Sequence, residues 1–146
     1  MKLKIKKLDP KAITPQYATE GSAAFDLHVC LDQDIYLNPG ECKILSTGLA
    51  FEFPKDYVAI VVPRSGLGAK HGIVLGNLMG VLDSDYRNAW GVTAWNRNHN
   101  GQAFKISNGD RLAQCLILPV IHAEFEEVEE LSETERGVGG FGSSGK

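Results

Sequence analysis

Residues 49–62 read LAFEFPKDYVAIVV, and this stretch decides the fold class. Aromatic and β-branched residues favour strands, and they are concentrated at its two ends, 49–53 and 57–62. Between them, Pro54-Lys55-Asp56 is a turn signal, because proline fixes one backbone angle and aspartate bonds readily to its own backbone. The stretch therefore predicts two short strands joined by a turn.

The same pattern extends along the chain in both directions. Residues 2–6 alternate lysine with apolar side chains, which is the signature of a half-buried strand with its lysines in water. Turn signals recur at 38–40, 98–101 and 108–110. Other predicted strands are 25–29, 34–37, 42–46, 73–75, 91–96, 104–106 and 112–119. Short strands without a βαβ rhythm predict an all-β fold, a distorted β-barrel or jelly-roll-like sandwich.

Two segments depart from this pattern. Residues 69–71 fit a single helical turn, and residues 124–131 fit either a helix or a last strand, because Phe125, Val128 and Leu131 have helix-like spacing. The tail carries five of the sixteen glycines in its last ten residues, so it buries little apolar surface to offset its ordering entropy. We expect one domain over 1–131 and a flexible arm over 132–146.

Composition excludes several classes of protein. The 146 residues fit one domain, and the net charge of -3 opposes a nucleic-acid polymer as partner. The basic start lacks the apolar run of an export signal, and no apolar stretch reaches the ~20 residues of a membrane helix. Three cysteines without Cys-x-x-Cys spacing favour a reducing compartment, so we expect a cytoplasmic protein with no membrane partner.

Residues 63–68, PRSGLG, directly follow the most apolar predicted strand. Arg64 offers fork-shaped donors, Ser65 a hydroxyl, and the glycines let backbone N–H groups approach an anion closely. The segment predicts a phosphate site, although a plain hairpin with a solvated arginine fits the same letters.

Residues 76–87, GNLMGVLDSDYR, are the densest group of functional side chains. The Asn77 amide has both the donor and the acceptor needed to read a nucleobase edge. Asp83 follows two apolar residues that could hold its carboxylate in a pocket as a base towards water. An ordinary turn is the alternative for this aspartate.

Other motifs are weaker. Residues 109–114, GDRLAQ, fit an ion pair of Asp110 with Arg111 at a turn, with Gln114 exposed. Residues 137–142 match the letters G-x-G-x-x-G, but the dinucleotide fingerprint needs a following helix and the sequence stops there. Arg136 and Phe141 together could clamp a phosphate and stack on a base. The histidines and cysteines lack zinc-site spacing.

Read together, five segments resemble the five ordered motifs of the trimeric dUTPases, the deoxyuridine triphosphate nucleotidohydrolases. They are 21–27 (GSAAFDL), 63–68, 76–87, 109–114 and 136–145 (RGVGGFGSSG). The resemblance implies a jelly-roll-type β-barrel and a homotrimer with shared active sites. It also implies hydrolysis of dUTP to dUMP and pyrophosphate by water attack on the α-phosphorus, which limits uracil entry into DNA and supplies dUMP for thymidylate synthesis.

The resemblance also implies roles for the base and sugar site. Asp83 would be the general base that activates water, and Tyr86 would pack on deoxyribose and leave no room for a 2′-hydroxyl. The groups that would read uracil are Asn77 and main-chain groups of a hairpin around Val81, Leu82 and Gly91. Asn88 stands where the family often has glycine, and asparagine tolerates a positive φ better than most residues.

The implied phosphate site has three parts. Its fixed phosphate contacts would be Arg64, Ser65, Gly66 and Gln114. The arm would close over the γ-phosphate and the base through Arg136, Ser143, Ser144 and Phe141. Mg²⁺ would be bound mainly through the substrate triphosphate, with Asp26 touching it through water.

Two other functions fit parts of the sequence. A dCTP deaminase would share the fold and trimer, but the complete third motif with Tyr86 and the glycine-rich fifth motif argue against it. A nucleotide-sensing module that binds dUTP and engages another protein is the non-enzymatic alternative, which an intact Asp83 disfavours.

Overall fold

A computed structural model of the chain describes residues 1–98 and 101–140. These ranges contain eleven strands and one helix. In chain order they are β1 (Lys4–Lys7), β2 (Phe25–His28), β3 (Ile35–Leu37), β4 (Cys42–Ser46), β5 (Leu49–Glu52), β6 (Tyr57–Pro63), α1 (Ser65–His71), β7 (Ile73–Leu75), β8 (Gly80–Leu82), β9 (Gly91–Asn96), β10 (Phe104–Ile106) and β11 (Arg111–Pro119). The all-β prediction is confirmed.

The strands form four small antiparallel sheets. The largest has the order β2-β11-β6-β8, and a second has the order β4-β9-β7. Two-stranded sheets β1-β5 and β10-β3 complete the set. Over the described ranges the sheets do not join into a closed barrel, so the sandwich form of the predicted jelly-roll-like fold is the one observed.

The core is built around Trp90, whose side chain is fully buried. Its ring lies 3.9 Å from that of Phe51 and meets Phe53 edge-on at 6.4 Å. The hydroxyl of buried Thr47 donates to the Trp90 carbonyl at 2.8 Å. The backbone N–H of Trp90 donates to the Leu49 carbonyl at 2.8 Å. Aromatic packing and these bonds fix the start of β9, and with it the end of the loop that follows β8.

The helix α1 is longer than the single turn expected at 69–71. It begins at Ser65 directly after Arg64, so the hairpin alternative for 63–68 is wrong. Two glycines lower the helix propensity of this segment and hide it from a sequence reading. Tertiary packing favours glycine at one of them, because a Cβ on buried Gly68 would lie only 3.3 Å from a Val74 methyl carbon. Gly72 then ends the helix with a positive φ of 64°.

The strand β8 was not predicted, because it has three residues and begins with a glycine. It forms by pairing with β6, where Gly80 faces Val61 closely enough that a Cβ would lie 3.2 Å from the valine Cβ. Residues 124–131 form neither the helix nor the strand that their spacing allowed, and Phe125 is 96% exposed. Helix-like spacing alone does not hold a segment whose apolar side chains find no packing partner.

No helix among the described residues combines the length and the apolar character that crossing a membrane requires.

The three cysteines are free and differ in exposure, which predicts a difference in reactivity. Burial raises the pKa of the Cys115 thiol to about 12, whereas Cys42 is exposed. At pH 8 iodoacetamide should therefore modify Cys42 and leave Cys115 unmodified, because the thiolate is the reactive form. Peptide mass spectrometry of native and urea-unfolded protein measures this. Equal modification of both cysteines in the native protein would contradict the burial of Cys115.

Candidate active site

Five predicted phosphate and metal contacts line one cavity of about 820 Å³. They are Asp26, Arg64, Ser65, Gly66 and Gln114. Strand order brings them together, since β11 lies between β2 and β6 and its Gln114 faces Asp26 on one side and Val62 on the other. Arg64 follows β6 directly, and Ser65 and Gly66 begin α1. The grouping of the first, second and fourth motifs is thus a product of the antiparallel register.

The Asp26 carboxylate holds two arginines in this cavity. Its Oδ1 lies 2.9 Å from Arg64 Nε, and its Oδ2 accepts a hydrogen bond from Arg111 Nη1 at 3.1 Å. Arg64 Nη1 also donates to the Arg111 carbonyl at 3.1 Å. Because the Asp26 side chain is 18% exposed, water screens these contacts less than it would on an open surface. The guanidinium groups are thereby fixed before any ligand arrives.

The fourth motif behaves differently from the expected ion pair at a turn. Arg111 pairs with Asp26 across the sheet, while Asp110 Oδ2 accepts the Ser107 N–H at 2.8 Å and stabilises the turn before β11. Gln114 is half-buried, and its Nε2 donates to the Pro63 carbonyl at 3.0 Å, next to Arg64. Arg111 is therefore a site residue that sequence reasoning missed.

Two further side chains of the cavity come from the last turn of α1. Lys70 and His71 line it, and neither was singled out from the sequence. A helix carries residues three and four apart on the same face, so Gly66 and Lys70 share a face. That signal becomes readable only once the helix is known to begin at Ser65.

His28 lies next to the charged cluster, two residues after Asp26 on β2. Burial is the main cause that lowers its pKa below the ordinary value, with the nearby arginines acting in the same direction and Asp26 against them. The imidazole is therefore neutral at pH 7 and adds no positive charge. Its Nδ1 is buried without a hydrogen-bond partner among the described residues.

Asn77 lies in a strained turn between β7 and β8. The Met79 N–H donates to the Asn77 carbonyl at 2.7 Å, and Leu78 between them has a positive φ of 63°. A branched residue adopts this conformation at an energetic cost, and such strain persists where the surrounding structure imposes it. The turn leaves Asn77 exposed, where its amide can meet a ligand.

Asp83 and Tyr86 lie in the loop that follows β8. The Tyr86 N–H donates to the Asp83 carbonyl at 3.2 Å, and the Tyr86 hydroxyl donates to the Ala89 carbonyl at 3.4 Å. Arg87 closes the loop by donating to the Ser84 carbonyl. The Asp83 side chain is exposed, so the expected apolar pocket around it is absent from the described part of a single chain.

The expected hairpin around Val81, Leu82 and Gly91 is not a paired one. Val81 and Leu82 pair with β6, whereas Gly91 begins β9 and pairs with Ser46 of β4. The two strands therefore belong to different sheets. Asn88 does not use the positive φ that its place suggested, and instead its Oδ1 accepts the Ala89 N–H at 2.8 Å.

The register of β6 separates the Asp83 loop from the phosphate cavity. Leu82 faces Ala59, so Asp83 lies near the Val58 end of β6, whereas Arg64 follows its other end. The six steps along the chain from Val58 to Arg64 correspond to ~20 Å of strand at about 3.3 Å per residue. One chain therefore does not bring Asp83 to the arginines.

Of the predicted contacts in the arm, Arg136 alone lies within the described residues. Arg136 is exposed, and its Nε donates to the Gly139 carbonyl at 2.9 Å rather than reaching the cavity. The predicted contacts Phe141, Ser143 and Ser144 lie outside the described residues.

A model of the dUTPase family matches residues 10–145, which include all five motif segments. The chain belongs to the dUTPase family. It is 48% identical over 151 residues to the deoxyuridine 5′-triphosphate nucleotidohydrolase of Acinetobacter baumannii, covering 100% of this chain and 99% of that protein. The protein of the same name from Idiomarina loihiensis is 52% identical over 133 residues, covering 90% of this chain and 87% of that protein.

A solved structure of Staphylococcus bacteriophage 80alpha dUTPase with dUPNHPP has the same fold as this dUTPase family member. The TM-score is 0.88 at 27% sequence identity, and the alignment covers 99% of both chains. The family and the enzyme class expected from the five motifs, a dUTP nucleotidohydrolase, are confirmed.

The bridge formed by Asp26 predicts a measurable contribution to stability in this dUTPase family member. Asp26→Asn should lower the free energy of unfolding by about 1 kcal/mol, because the half-buried Arg64 and the more exposed Arg111 both lose their counter-charge. Urea unfolding followed by circular dichroism measures the change. Asp32→Asn is the matched control, since that side chain is 94% exposed and should change stability by less than about 0.5 kcal/mol. Equal losses in both variants would contradict a bridging role for Asp26.

Proposed function

We propose that this chain hydrolyses dUTP to dUMP and pyrophosphate by attack of water on the α-phosphorus. The observation that carries the proposal is the cavity in which Arg64, Ser65, Gly66 and Gln114 converge beside fixed guanidinium groups, in a chain of this family. Phosphoryl transfer depends more on charge stabilisation and alignment than on a covalent nucleophile, and this cavity supplies both. The reaction would limit uracil entry into DNA and supply dUMP for thymidylate synthesis.

The proposed active sites are shared between copies of the chain in a homotrimer. Support comes from the separation of ~20 Å along β6, which leaves Asp83 unable to act at the cavity of its own chain. Exposed apolar side chains in the segment after β11, including Ile121, Phe125 and Leu131, offer surface that another copy can cover. In this arrangement the Asp83 loop of one copy meets the phosphate cavity of a neighbour.

The proposed recognition of base and sugar uses the loops on either side of β8. Asn77 and the main chain at Val81, Leu82 and Gly91 pair with uracil, and a mismatched base leaves polar groups buried without partners. The Tyr86 ring packs on deoxyribose, and it is 40% exposed and therefore available for this contact. Because Gly91 lies in another sheet, uracil would be read between two sheets of one chain.

Asp83 is the proposed general base. Its carboxylate makes no hydrogen bond or ion pair with the described residues, so it is free to accept a proton from the attacking water. Proton transfer from that water to an Asp83 carboxylate oxygen would accompany attack on the α-phosphorus. Pyrophosphate then leaves as the bond from the α-phosphorus to the bridging oxygen breaks.

The carboxylate oxygens of the cavity fit a Mg²⁺ ion that is bound mainly by the substrate triphosphate. Both Asp26 oxygens already contact arginines, and no group of three or more His, Cys, Asp or Glu side chains within 1–98 and 101–140 could hold a metal. Mg²⁺ usually keeps several waters and takes its other ligands from phosphates, so Asp26 would meet it through water. When bound, the ion neutralises charge on the triphosphate.

The arm over 132–146 is proposed to complete the site. Arg136, Ser143 and Ser144 would contact the γ-phosphate, and Phe141 would stack on the base.

A reducing compartment such as the cytoplasm suits the protein, because its three cysteines are free and Cys42 is exposed.

A pyrophosphate-release assay tests the proposed reaction. The purified chain is given dUTP, dCTP, dTTP or UTP, with and without Mg²⁺, and ammonia is measured in parallel. Mg²⁺-dependent release from dUTP, and little from the other three, is the expected result. Ammonia from dCTP would instead assign the deaminase function, and binding of dUTP without any product would assign a sensing module.

Asp83→Asn should lower kcat about a hundredfold or more and leave dUTP affinity largely unchanged, because the amide cannot accept the proton. Single-turnover kinetics and calorimetric binding of dUPNHPP separate the two effects. Wild-type turnover in the variant would remove Asp83 from this role.

A mixing experiment isolates the sharing of sites. Asp83→Asn and Arg64→Gln are each purified, unfolded together and refolded as one mixture. If each site combines Asp83 of one copy with Arg64 of another, some mixed sites carry both native residues, and activity rises above that of either variant refolded alone. Activity that stays at the level of the variants would show that both residues act within one chain.

Removal of residues 132–146 should preserve the fold and the assembly but reduce dUTP turnover strongly, because the γ-phosphate loses its proposed contacts. Circular dichroism and sedimentation establish folding and assembly, and the pyrophosphate assay measures turnover. If the shortened chain fails to fold, the arm is structural rather than a part of the active site.

A further inference from the structure

The phosphate cavity holds three cationic side chains and one carboxylate. Arg64 and Arg111 both contact Asp26, so one negative charge partly offsets two positive ones. Lys70 lines the same cavity but makes no ion pair or hydrogen bond with any described residue. Within the described part of the cavity, its ammonium is therefore the positive charge that no carboxylate offsets.

The position of Lys70 on α1 directs its side chain along the cavity. It lies four residues after Gly66 on the same helix face, ~6 Å further along the axis at about 1.5 Å per residue. Side chains on a helix lean towards its N-terminus, so the lysine leans back towards the Ser65 end. Its ammonium carries three N–H donors on a flexible side chain, so it can bind phosphate oxygens at several positions and orientations.

A triphosphate is elongated, and its successive phosphates need donors at successive places. Arg64, Ser65, Gly66 and Gln114 form one group of donors at the β6 end of the cavity. The Lys70 backbone lies about one helical turn beyond that group. Its long, flexible side chain can therefore reach phosphates that the group at the β6 end does not contact. Leu67, which lines the cavity from the same helix turn, is apolar and offers no donor to an anion.

We propose that Lys70 is a phosphate-binding residue for the part of dUTP that leaves as pyrophosphate. The inference rests on the proposed dUTP hydrolysis and assigns a new contact in the same site. As the bond to the α-phosphorus breaks, negative charge accumulates on the leaving pyrophosphate, and an unpaired ammonium beside it stabilises that charge. Lys70 therefore acts both in substrate binding and in departure of the product.

Isothermal titration calorimetry tests this contact without depending on turnover. The probes are inorganic pyrophosphate with Mg²⁺, dUPNHPP with Mg²⁺, and dUMP. Lys70→Gln should weaken pyrophosphate and dUPNHPP binding about tenfold and change dUMP binding less than twofold. Lys70→Arg should stay within about threefold of wild type, because it restores the charge.

Lys2→Gln is the matched control, since it removes the charge of another exposed lysine that lines none of the cavities described above. It should leave all three affinities unchanged. In the assay with dUTP, Lys70→Gln should also raise the inhibition constant of added pyrophosphate about tenfold, while inhibition by dUMP stays the same.

Three results would overturn the assignment: unchanged pyrophosphate binding in Lys70→Gln, an equal loss in Lys2→Gln, or an equal loss of dUMP affinity. The last would place Lys70 at the α-phosphate. Failure of the proposed function is a separate outcome, because it means that wild-type protein does not hydrolyse dUTP. In that case a loss of pyrophosphate affinity confined to Lys70→Gln would still support the phosphate contact.

Discussion

The pairing of β6 constrains every part of the candidate site. One edge of this strand pairs with β11, which brings Gln114 and Arg111 to the end of β6, next to Arg64. Because β2 pairs with β11, Asp26 lies at the same end. Its other edge pairs with β8, which is antiparallel to β6. Asp83, which follows β8, therefore lies near the Tyr57 end of β6, away from Arg64. Antiparallel pairing thus gathers the phosphate contacts and removes the proposed base from them. The proposed homotrimer with shared sites would unite the two.

Within the cavity, a carboxylate that fixes the positions of the arginines also reduces the net positive charge available to a phosphate. Asp26 orders two guanidinium groups that would otherwise lose rotamer entropy on meeting a ligand, but it also offsets part of their positive charge. A cation without a carboxylate partner restores the balance, and Lys70 has this property. The proposed Mg²⁺ carried by the nucleotide would do the same from the ligand side.

The parts of the fold that could be predicted were those with a local cause. Strands such as β4, β6 and β9 have side-chain patterns and flanking turns that indicate them without tertiary information. The length of α1 was underestimated and β8 was missed, because Gly68 and Gly80 reduce local propensity. The small space beside Val74 and Val61, which favours those glycines, is a tertiary feature. Arg111 was paired with its neighbour Asp110, whereas its actual partner lies 85 positions away.

The amino-acid sequence by itself determined the chemistry: an all-β chain, five ordered motifs, and the side-chain types that a uracil nucleotide requires. The all-β class follows from local side-chain patterns, and the nucleotide chemistry is what the resemblance of the five motifs to the dUTPases implies. The tertiary structure decided which of those residues share a cavity, that Arg111 and Lys70 belong to it, and that Asp83 of the same chain does not. Strand register decides this, because a pairing between distant segments is set by how whole sheets pack and is not written in any local stretch.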